Sequence, residues 1–600
     1  MGGDESSRSL IPAQQRGNQG MDIASVIKKS FLRLLPVQIA VFLTGAVNIT
    51  VDSLITARFI GTGGMAAIAL FEPAARFIML YFVLLSGMRI LCGNCIGSGE
   101  GDKVVSLFST GTVLLGLFGG LIFASFFLFR IPLSHLLGAH GETAVMLSEY
   151  IASYSPGIPG QILSSAFLVF LPFNNDSTRS CLGIGVMVIS NIIMDFVCVS
   201  VFHAGLSGIG AATSVSSLLA AGIMLTGFLG HGRSVYFDLR SLNLWFVPRA
   251  VRLGLSDLVY NLSYTLKMYM LNQTLLTLAG DAAVAAMNVQ GSILGVIGSF
   301  IYGTGGAFLV LGSIYYGEED RSSYVGAARY SMRIGTGTAV CLTLILMGGS
   351  SLIPSMFFAH SDPSWTITRM MLLLFSNYLI WNTILGLFLD YYQCQGLIKT
   401  VNILTFLEQF LTGVFAMAGA KLFGENGVWI AFPAADLLCL GLVAMYVRHC
   451  REALRPDLES WMLLDDSFGA SSDEVLECAV HNLDEVLAVS AHMIPFCMER
   501  GIDERRSGFA ALAVEEMAAN VLEHGFRPNE KHSIDIRVVC KDGLTVRVRD
   551  DCRAFDPKKR IEQFDPKDAM KNIGLRLVAN MAEEINYRND AGINTVLIKL

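Results

Sequence analysis

Long uncharged apolar stretches limit what this chain can fold into more than any other feature. Leu107 to Phe129, Ile209 to Leu229 and Cys341 to Phe358 contain no charged residue, and Cys181 to Phe202 is interrupted only by Asp195. A run of roughly 18 or more apolar residues is long enough to cross the ~30 Å hydrocarbon core of a bilayer. A soluble domain has no use for so many. Apolar runs separated by Gly, Pro, Asn and charged turns predict twelve spans, near 35–57, 66–93, 104–128, 143–171, 180–202, 207–230, 252–278, 282–312, 325–352, 366–392, 400–421 and 427–447.

Charge divides the chain. Residues 1–450 hold 23 basic and 22 acidic side chains and residues 451–600 hold 20 and 28, so the net charge of −7 belongs to the last quarter. An all-α polytopic membrane body therefore precedes a small acidic, water-soluble domain. The expected divisions are a disordered polar tail at 1–30, two six-helix halves at 31–230 and 231–450, a linker at 451–472 with Pro456 and a Gly/Ser-containing end, and a soluble domain at 473–600. The N-terminus lacks the pattern of a signal peptide. Twelve scattered cysteines imply no disulfide framework, and Cys92-x-x-Cys95, at the end of an apolar helix, reads as packing.

An even number of spans puts both ends on one side. Lys28, Lys29, Arg33, Lys103, Arg179, Arg233, Arg240, Arg249, Arg252, Arg321, Arg329, Lys399, Arg448 and Arg451 fall on that side, against little beyond Arg58, Arg130, Arg369 and Lys421 on the other. The positive-inside rule then predicts both termini, and the acidic domain, in the cytoplasm of a cell-membrane protein. No nucleic-acid partner is expected.

The body repeats at an offset of about 219 residues. Gly61-x-x-x-x-Ala66-Ala67 recurs as Gly280-x-x-x-x-Ala285-Ala286, Gly87 pairs with Gly306, Gly205-x-x-Gly208 with Gly424-x-x-Gly427, and Gly99 to Asp102 resembles Gly317 to Asp320. Two six-helix halves around a central cleft are an architecture of secondary transporters. Positions where the halves differ are then informative. Asp52 is matched by Leu271, Asn191 by Phe410 and Asp195 by Val414. An intramembrane carboxylate is costly and is expected to face the interior, carrying a proton or binding a cation. Asn191 and Asp195 share one helix face, and Thr213 offers a hydroxyl suited to Na⁺. The blander alternative for all four is interhelical hydrogen bonding. Glu72, Arg76, Lys267, Gln290, Asp390 and Glu408 are weaker candidates to line the cleft.

Over residues 30–450 the chain resembles the multidrug and toxic compound extrusion (MATE) family. The resemblance rests on Val51-Asp52, Gly61 with Ala66-Ala67, Asn191-x-x-x-Asp195, Gly208-x-Gly210-Ala211-Ala212-Thr213, Gln393-x-x-Gly396 and the duplication. It is nearest the DinF-like branch, which implies that the first-half acids Asp52 and Asp195 couple H⁺ or Na⁺ entry to export of small organic compounds, with Asn191 and Thr213 the further cation-coupling candidates read from the residues. The loop Asn174-Asn175-Asp176-Ser177-Thr178-Arg179 departs from the basic, glycine-containing loop usual there.

The soluble domain alternates helical and strand patterns. Leu483 to Ile494, Ala510 to Glu523 and Ile573 to Glu584 read as helices; Ile534 to Cys540, Leu544 to Arg549 and Thr595 to Leu600 read as strands. Helices beside an antiparallel sheet make an α/β two-layer sandwich. Glu516, Asn520 and His524 recur every four residues, so that a carboxylate and an amide on one face suit orienting a hydroxyl and holding Mg²⁺; an ordinary solvated polar stripe is the competing explanation.

With Val548 to Pro557, Asn572-Ile573-Gly574-Leu575-Arg576-Leu577-Val578 and Gly592-x-Asn594-Thr595-x-Leu597, this domain resembles the GHKL ATPases over residues 473–600, and among them the anti-sigma-factor serine kinases. The resemblance implies ATP with Mg²⁺ held by Asn520, Glu516 as catalytic base, Asp550 recognising adenine, Gly574 approaching the phosphates, and a cytoplasmic regulator of anti-anti-sigma type as partner. Cys552 and Ala554 replace expected glycines, and no glycine occurs in the lid from Pro557 to Ile573. Three functions are weighed: a cation-coupled exporter with a nucleotide-binding regulatory domain, a membrane sensor with a serine-kinase tail, and a lipid-linked oligosaccharide flippase. The P-loop of a primary pump is missing.

Overall fold

The computed structural model describes residues 13–229, 233–451, 455, 457–471, 473–526, 532, 534–541, 543–552, 573–590 and 593–600. The body is helical: α1 Ala13–Ile55, α2 Thr62–Ile78, α3 Tyr81–Gly97, α4 Gly101–Leu128, α5 Arg130–Leu136, α6 Gly141–Tyr154, α7 Ile158–Phe170, α8 Ser177–Ser200 and α9 Gly205–Leu225 form the first half. α10 Val247–Gly317, α11 Arg321–Gly348, α12 Leu352–Phe357, α13 Pro363–Phe375, α14 Tyr378–Cys394, α15 Ile398–Phe423 and α16 Glu425–Arg451 form the second. Carboxylates set several starts: Asp176, Asp320 and Asp362 accept from the amides of Arg179, Ser323 and Ser364 at the N-termini of α8, α11 and α13.

α10 spans 71 residues. A straight helix of that length would run about 105 Å, more than three times the ~30 Å core. Both its ends pack on α3: a Cβ on Gly87 would lie 1.8 Å from Ala250 O, and one on Gly97 2.1 Å from Ile314 O. Gly87 and Gly97 are only about 15 Å apart along a helix, so α10 doubles back and carries two of the expected spans in one hydrogen-bonded run. Among the described residues nine helices are long and apolar enough to cross a membrane, or ten if the bent pair α13 and α14 is one span. Twelve are therefore not reached on that criterion. The first arm of α10, which carries Asp257, Asn261 and Lys267, is not among them.

The duplication is visible as repeated turns. Between α3 and α4, Ser98 N, Gly99 N and Glu100 N bond to Asn94 O, Ile96 O and Cys95 O; between α10 and α11, Glu318 N, Glu319 N and Asp320 N bond to Ile314 O, Tyr316 O and Tyr315 O. The register here is 220, which pairs Gly97 with Gly317 and shifts the sequence match of Gly99 to Asp102 by two positions. Gly205 and Gly424 both have left-handed φ, 57° and 59°.

The stretch expected as a linker is not a loose tether. Tyr392 OH donates to Trp461 O at 2.7 Å, Arg321 pairs with Glu459 at 2.6 Å, and Phe468 stacks on Tyr316 with centroids 4.7 Å apart. α17 Leu458–Trp461 lies within it.

The soluble domain has β1 Val475–Val480, α18 Leu483–Met498, α19 Glu504–Asn520, β2 Ile534–Val539, β3 Thr545–Asp550, α20 Ile573–Met581, β4 Glu584–Asp590 and β5 Ile593–Lys599. The strands form one antiparallel sheet in the order β1-β2-β3-β5-β4. Strand alternation gives the sheet two unlike faces. Ile534, Ile536, Val538, Val546, Val548, Val596 and Ile598 join Val486, Met493, Ala510, Val514 and Met517 of the helices in one core. The opposite face carries Asp535, Arg537, Arg547, Arg549, Asn586 and Arg588. The three strands read from the sequence are β2, β3 and β5; β1 and β4 complete the sheet.

Candidate functional site

Asp52 sits in the last turn of α1, and α8 supplies Asn191 and Asp195 one turn apart. Asn191 and Asp195 are buried, and the side chains of Asp52 and Asp195 lie within hydrogen-bonding reach of each other. Asp52 Oδ1, both oxygens of Asp195 and both polar atoms of the Asn191 amide are buried without a hydrogen-bond partner. Buried, unpaired carboxylate oxygens are costly, and two in contact require a proton or a cation between them. α1 ends beside them in a π turn, Thr56–Ile60, closed by Gly61 at φ 90°, a conformation that suits glycine. Thr213, on α9, donates its hydroxyl to Ile209 O at 3.1 Å, so it has only lone pairs to offer a cation.

Sequence reasoning missed two tyrosines. Tyr150 and Tyr154 stack on each other at 5.4 Å and both pack edge-on against Phe71 at 5.2 Å. Both hydroxyls lie in the field of Asp52, and that of Tyr150 also in the field of Asp195. Their four-residue spacing on α6 was the available signal. In the second half Lys267 and Glu408 are buried and interact with Asp436, a residue not singled out from the sequence. Glu72 and Arg76 form an exposed pair at 2.8 Å, and Gln290 is buried. Arg89 of α3 faces Asp257 and Asp390 of the other half.

In the soluble domain, Glu516 and Asn520 occupy the last turn of α19, and the Asn520 amide donates to Glu516 O. The helix then widens into a π turn, Val521–Gly525, which breaks the four-residue register; His524 is exposed. The Glu516 carboxylate rests directly on Gly574 at the start of α20, where an added Cβ would come within 2.0 Å of Glu516 Cδ. Burial, and then the charge of Glu515, pushes the Glu516 carboxyl above its ordinary range. Asp550 closes β3 on the helix-covered face, and its Oδ1 accepts from Asn594 Nδ2 at 2.8 Å and Cys552 N at 2.9 Å. Burial raises its carboxyl, against those hydrogen bonds. Cys552 packs on Gly525, where an added Cβ would lie 3.0 Å from Cys552 Cβ. Ala554, the lid and Asn572 lie outside the described residues. These residues fit a nucleotide with its metal: an oriented amide at Asn520, an acid at Glu516 seated where Gly574 has no Cβ, and a fixed carboxylate at the strand end.

Two family models match the chain: MatE over residues 36–197, and the histidine kinase-like ATPase domain over residues 481–600. The chain is 22% identical over 397 residues to the multidrug export protein MepA of Staphylococcus saprophyticus, covering 63% of this chain and 85% of that protein. It is 27% identical over 97 residues to the serine-protein kinase RsbW of Listeria monocytogenes, covering 15% of this chain and 62% of that protein. Among solved structures, an outward-facing multidrug resistance MATE family transporter of the MOP superfamily superposes with TM-score 0.65 at 20% identity, over 71% of this chain and 96% of the other. A MATE in the straight conformation gives 0.65 at 20%, over 72% and 97%. The chain thus joins a MATE-like body to a domain that matches the histidine kinase-like ATPase model.

The ATPase-like domain is held to the multi-pass MATE-like body by a buried charge network on the polar face of its sheet. Arg547 pairs with Glu318 at 2.9 Å and Asp535 at 3.0 Å, Arg549 with Glu318 at 2.6 Å, and Arg537 with Glu477 at 3.2 Å. Arg537 and Arg547 also contact Asp320. Burial alone would raise the Asp320 carboxyl, but Arg547, Arg537 and Arg549 outweigh it and hold the group well below the usual carboxylate range. Lys29 on α1 pairs with Asp551, the residue after Asp550. Burial opposes ionisation of Asp551, and hydrogen bonds from Lys29 and His532 overcome it, so this carboxyl too is lowered.

Proposed function

We propose that this chain is an antiporter that exports small organic compounds in exchange for H⁺ or Na⁺, with an ATPase-like domain that binds Mg-nucleotide in the cytoplasm and regulates it. The observation that carries the reading is the contact between Asp52 and the buried Asp195, two carboxylates with buried, unpaired oxygens. Loading a cation or proton there removes a large electrostatic penalty, and unloading restores it. Occupancy and conformation are therefore linked, as exchange between two sides requires. Asn191 and Thr213 would add neutral oxygen ligands if the ion is Na⁺. The similarity to a multidrug export protein supports organic substrates, and the basic loops support a cell-membrane location with both termini inside.

In the ATPase-like domain, Asn520 would hold Mg²⁺, Asp550 receive the adenine edge, and Gly574 let the phosphates approach the N-terminus of α20. ATP supplies an electrophilic γ-phosphoryl group when bound. The Glu516 carboxylate stands ready to accept the proton of a hydroxyl nucleophile. That placement, with the similarity to RsbW, favours one addition: phosphorylation of a serine on a regulator of anti-anti-sigma type.

Full-length protein in vesicles with imposed H⁺ or Na⁺ gradients tests the main reading. Substrate movement should follow one of the two gradients and respond to nucleotide on the ATPase-like side. Export indifferent to both gradients overturns the coupling, and tight export of a lipid-linked sugar without drug movement points to a flippase instead.

A further inference from the structure

The polar face of the sheet does not meet an arbitrary patch of the body. It meets the turns that the duplication makes equivalent. In the second half, Glu318 and Asp320 of the α10–α11 turn face Arg537, Arg547 and Arg549, and Ser322 Oγ donates to Glu477 Oε1 at 3.1 Å. In the first half, Asn586 Nδ2 donates to Gly99 O of the matching α3–α4 turn at 2.8 Å. Asn175, in the loop that departs from the family pattern, donates to Asn589 Oδ1 at 2.8 Å. The loop equivalent to Asn175 in the second half holds Gln395, whose amide donates to Met462 O in the stretch leading to the domain, at 2.9 Å. One residue spans both halves: Arg588 donates to Ile96 O of the first and pairs with Glu318 of the second.

Directly beneath lies the seam between the halves. Added Cβ atoms on Gly93 and Gly97 of α3 would come within 1.9 Å of Ser313 Oγ and 2.1 Å of Ile314 O on α10, and one on Gly317 within 2.1 Å of Asn94 O. The two backbones touch, so the body is shut on the side that the ATPase-like domain covers. Small residues are what permit membrane helices so close an approach.

We propose that the polar sheet face is a clamp: docked on both duplicated turns, with Arg588 stapling Ile96 to Glu318, it holds the two halves of the transporter closed on its own side. This rests on the transporter reading above and names how the ATPase-like domain regulates it. To open that side α3 must part from α10, and the two sets of contacts on one rigid sheet cannot both follow. The domain must first let go of one half. Docking leaves the helix-covered face, with Glu516, Asn520 and Asp550, uncovered by the body's turns, so nucleotide can bind while the clamp is engaged. Lys29 on Asp551 ties α1, which carries Asp52 at its far end, to the residue next to Asp550.

The test measures the seam itself. Spin labels are placed by cysteine substitution at Lys103 on α4 and Arg329 on α11, both exposed, in full-length protein whose exposed Cys181, Cys341 and Cys450 are serine. The parent should give a short distance with a minor longer component. Arg588→Gln and Glu318→Gln should each raise the share of the longer distance about tenfold relative to the short one, and Arg506→Gln, a charge removal on α19 whose pairs with Asp503 and Glu583 lie within the domain, should change nothing. Glu318→Gln lies in the body, so it reports even if Arg588→Gln disturbs the domain's fold. Distance distributions for both variants that match the parent overturn the clamp. No transported compound or ion gradient enters the measurement, so that result would leave the coupling role of Asp52 and Asp195 standing, and loss of the coupling role would leave the clamp standing.

Discussion

At the residue scale the decisive fact is that two aspartates share one buried place. Asp52→Asn and Asp195→Asn keep the shape and remove the charge, so each should reduce ion-driven export to background. Replacing a buried carboxylate by an amide relieves desolvation, and thermal unfolding in detergent should therefore show no more than about 1 kcal/mol of lost stability. Export that persists in both variants removes the pair from the mechanism. In the ATPase-like domain Asn520→Ala should abolish Mg-nucleotide binding by calorimetry on the whole chain. Gly574→Ala is a finer probe. Its methyl group would collide with the Glu516 carboxylate, the flexible end of a side chain, so the fold should lose no more than about 1 kcal/mol while Glu516 is displaced and nucleotide affinity falls. The sequence pointed to Asp52, Asn191 and Asp195 because the second half lacks them. The same comparison also marks Asp436, which Ser217 matches in the first half, whereas Tyr150 acquires its meaning only from what faces it.

At the element scale periodicity was readable and continuity was not. Alternation in Ile534 to Cys540 and Leu544 to Arg549 located β2 and β3, because one sheet face is apolar and the other charged. β4 was harder to see: Glu584–Asp590 places Asn586 and Arg588 against the body and shows only Ile585 and Tyr587 to its own core. α10 reads as two helices because Gly280 and Asp281 look like a break, yet the helical hydrogen bonding continues through them. The stretch Ala510 to Glu523 reads as one helix, whereas the backbone widens after Asn520 and turns His524 away. The α3 and α10 contact yields a prediction of its own. Gly97→Ala places a methyl group against the Ile314 carbonyl, a backbone atom that cannot swing aside. Overpacking of this kind costs about 1–3 kcal/mol, so the variant should unfold at lower temperature and populate the form in which α3 and α10 are parted.

At the scale of the whole molecule, charge decides how the two domains sit. The carboxyl of Asp320 is lowered in the docked state, so its contribution is fully present above the ordinary carboxylate value of about 3.9 and is lost as the pH falls through the lowered one. Glu477 shifts the other way, raised by burial and by Asp320; its contribution is present below its ordinary value and fades as the pH rises through the raised one. Three guanidiniums face Asp320, whereas one guanidinium and the Ser322 hydroxyl contact Glu477, so the Asp320 contribution dominates. Energy transfer between labels on the body and the ATPase-like domain should stay constant from about pH 8 to 5 and fall only in stronger acid. Undocking already near neutral pH would contradict the assigned charges.

The amino-acid sequence by itself determined that a bilayer-spanning, duplicated body carries an acidic soluble domain, and it marked the carboxylates that break the duplication. These properties are local or periodic: apolar length, strand alternation, residue spacing and the comparison of two copies of one pattern. Only the tertiary structure decided that α10 folds back on α3, that Tyr150 and Tyr154 stand beside Asp52, and that four arginines of one sheet face close over the paired turns. Those contacts join residues hundreds of positions apart, Lys29 with Asp551 and Ile96 with Arg588. Each depends on packing that brings distant elements side by side, a condition that no stretch of sequence records on its own.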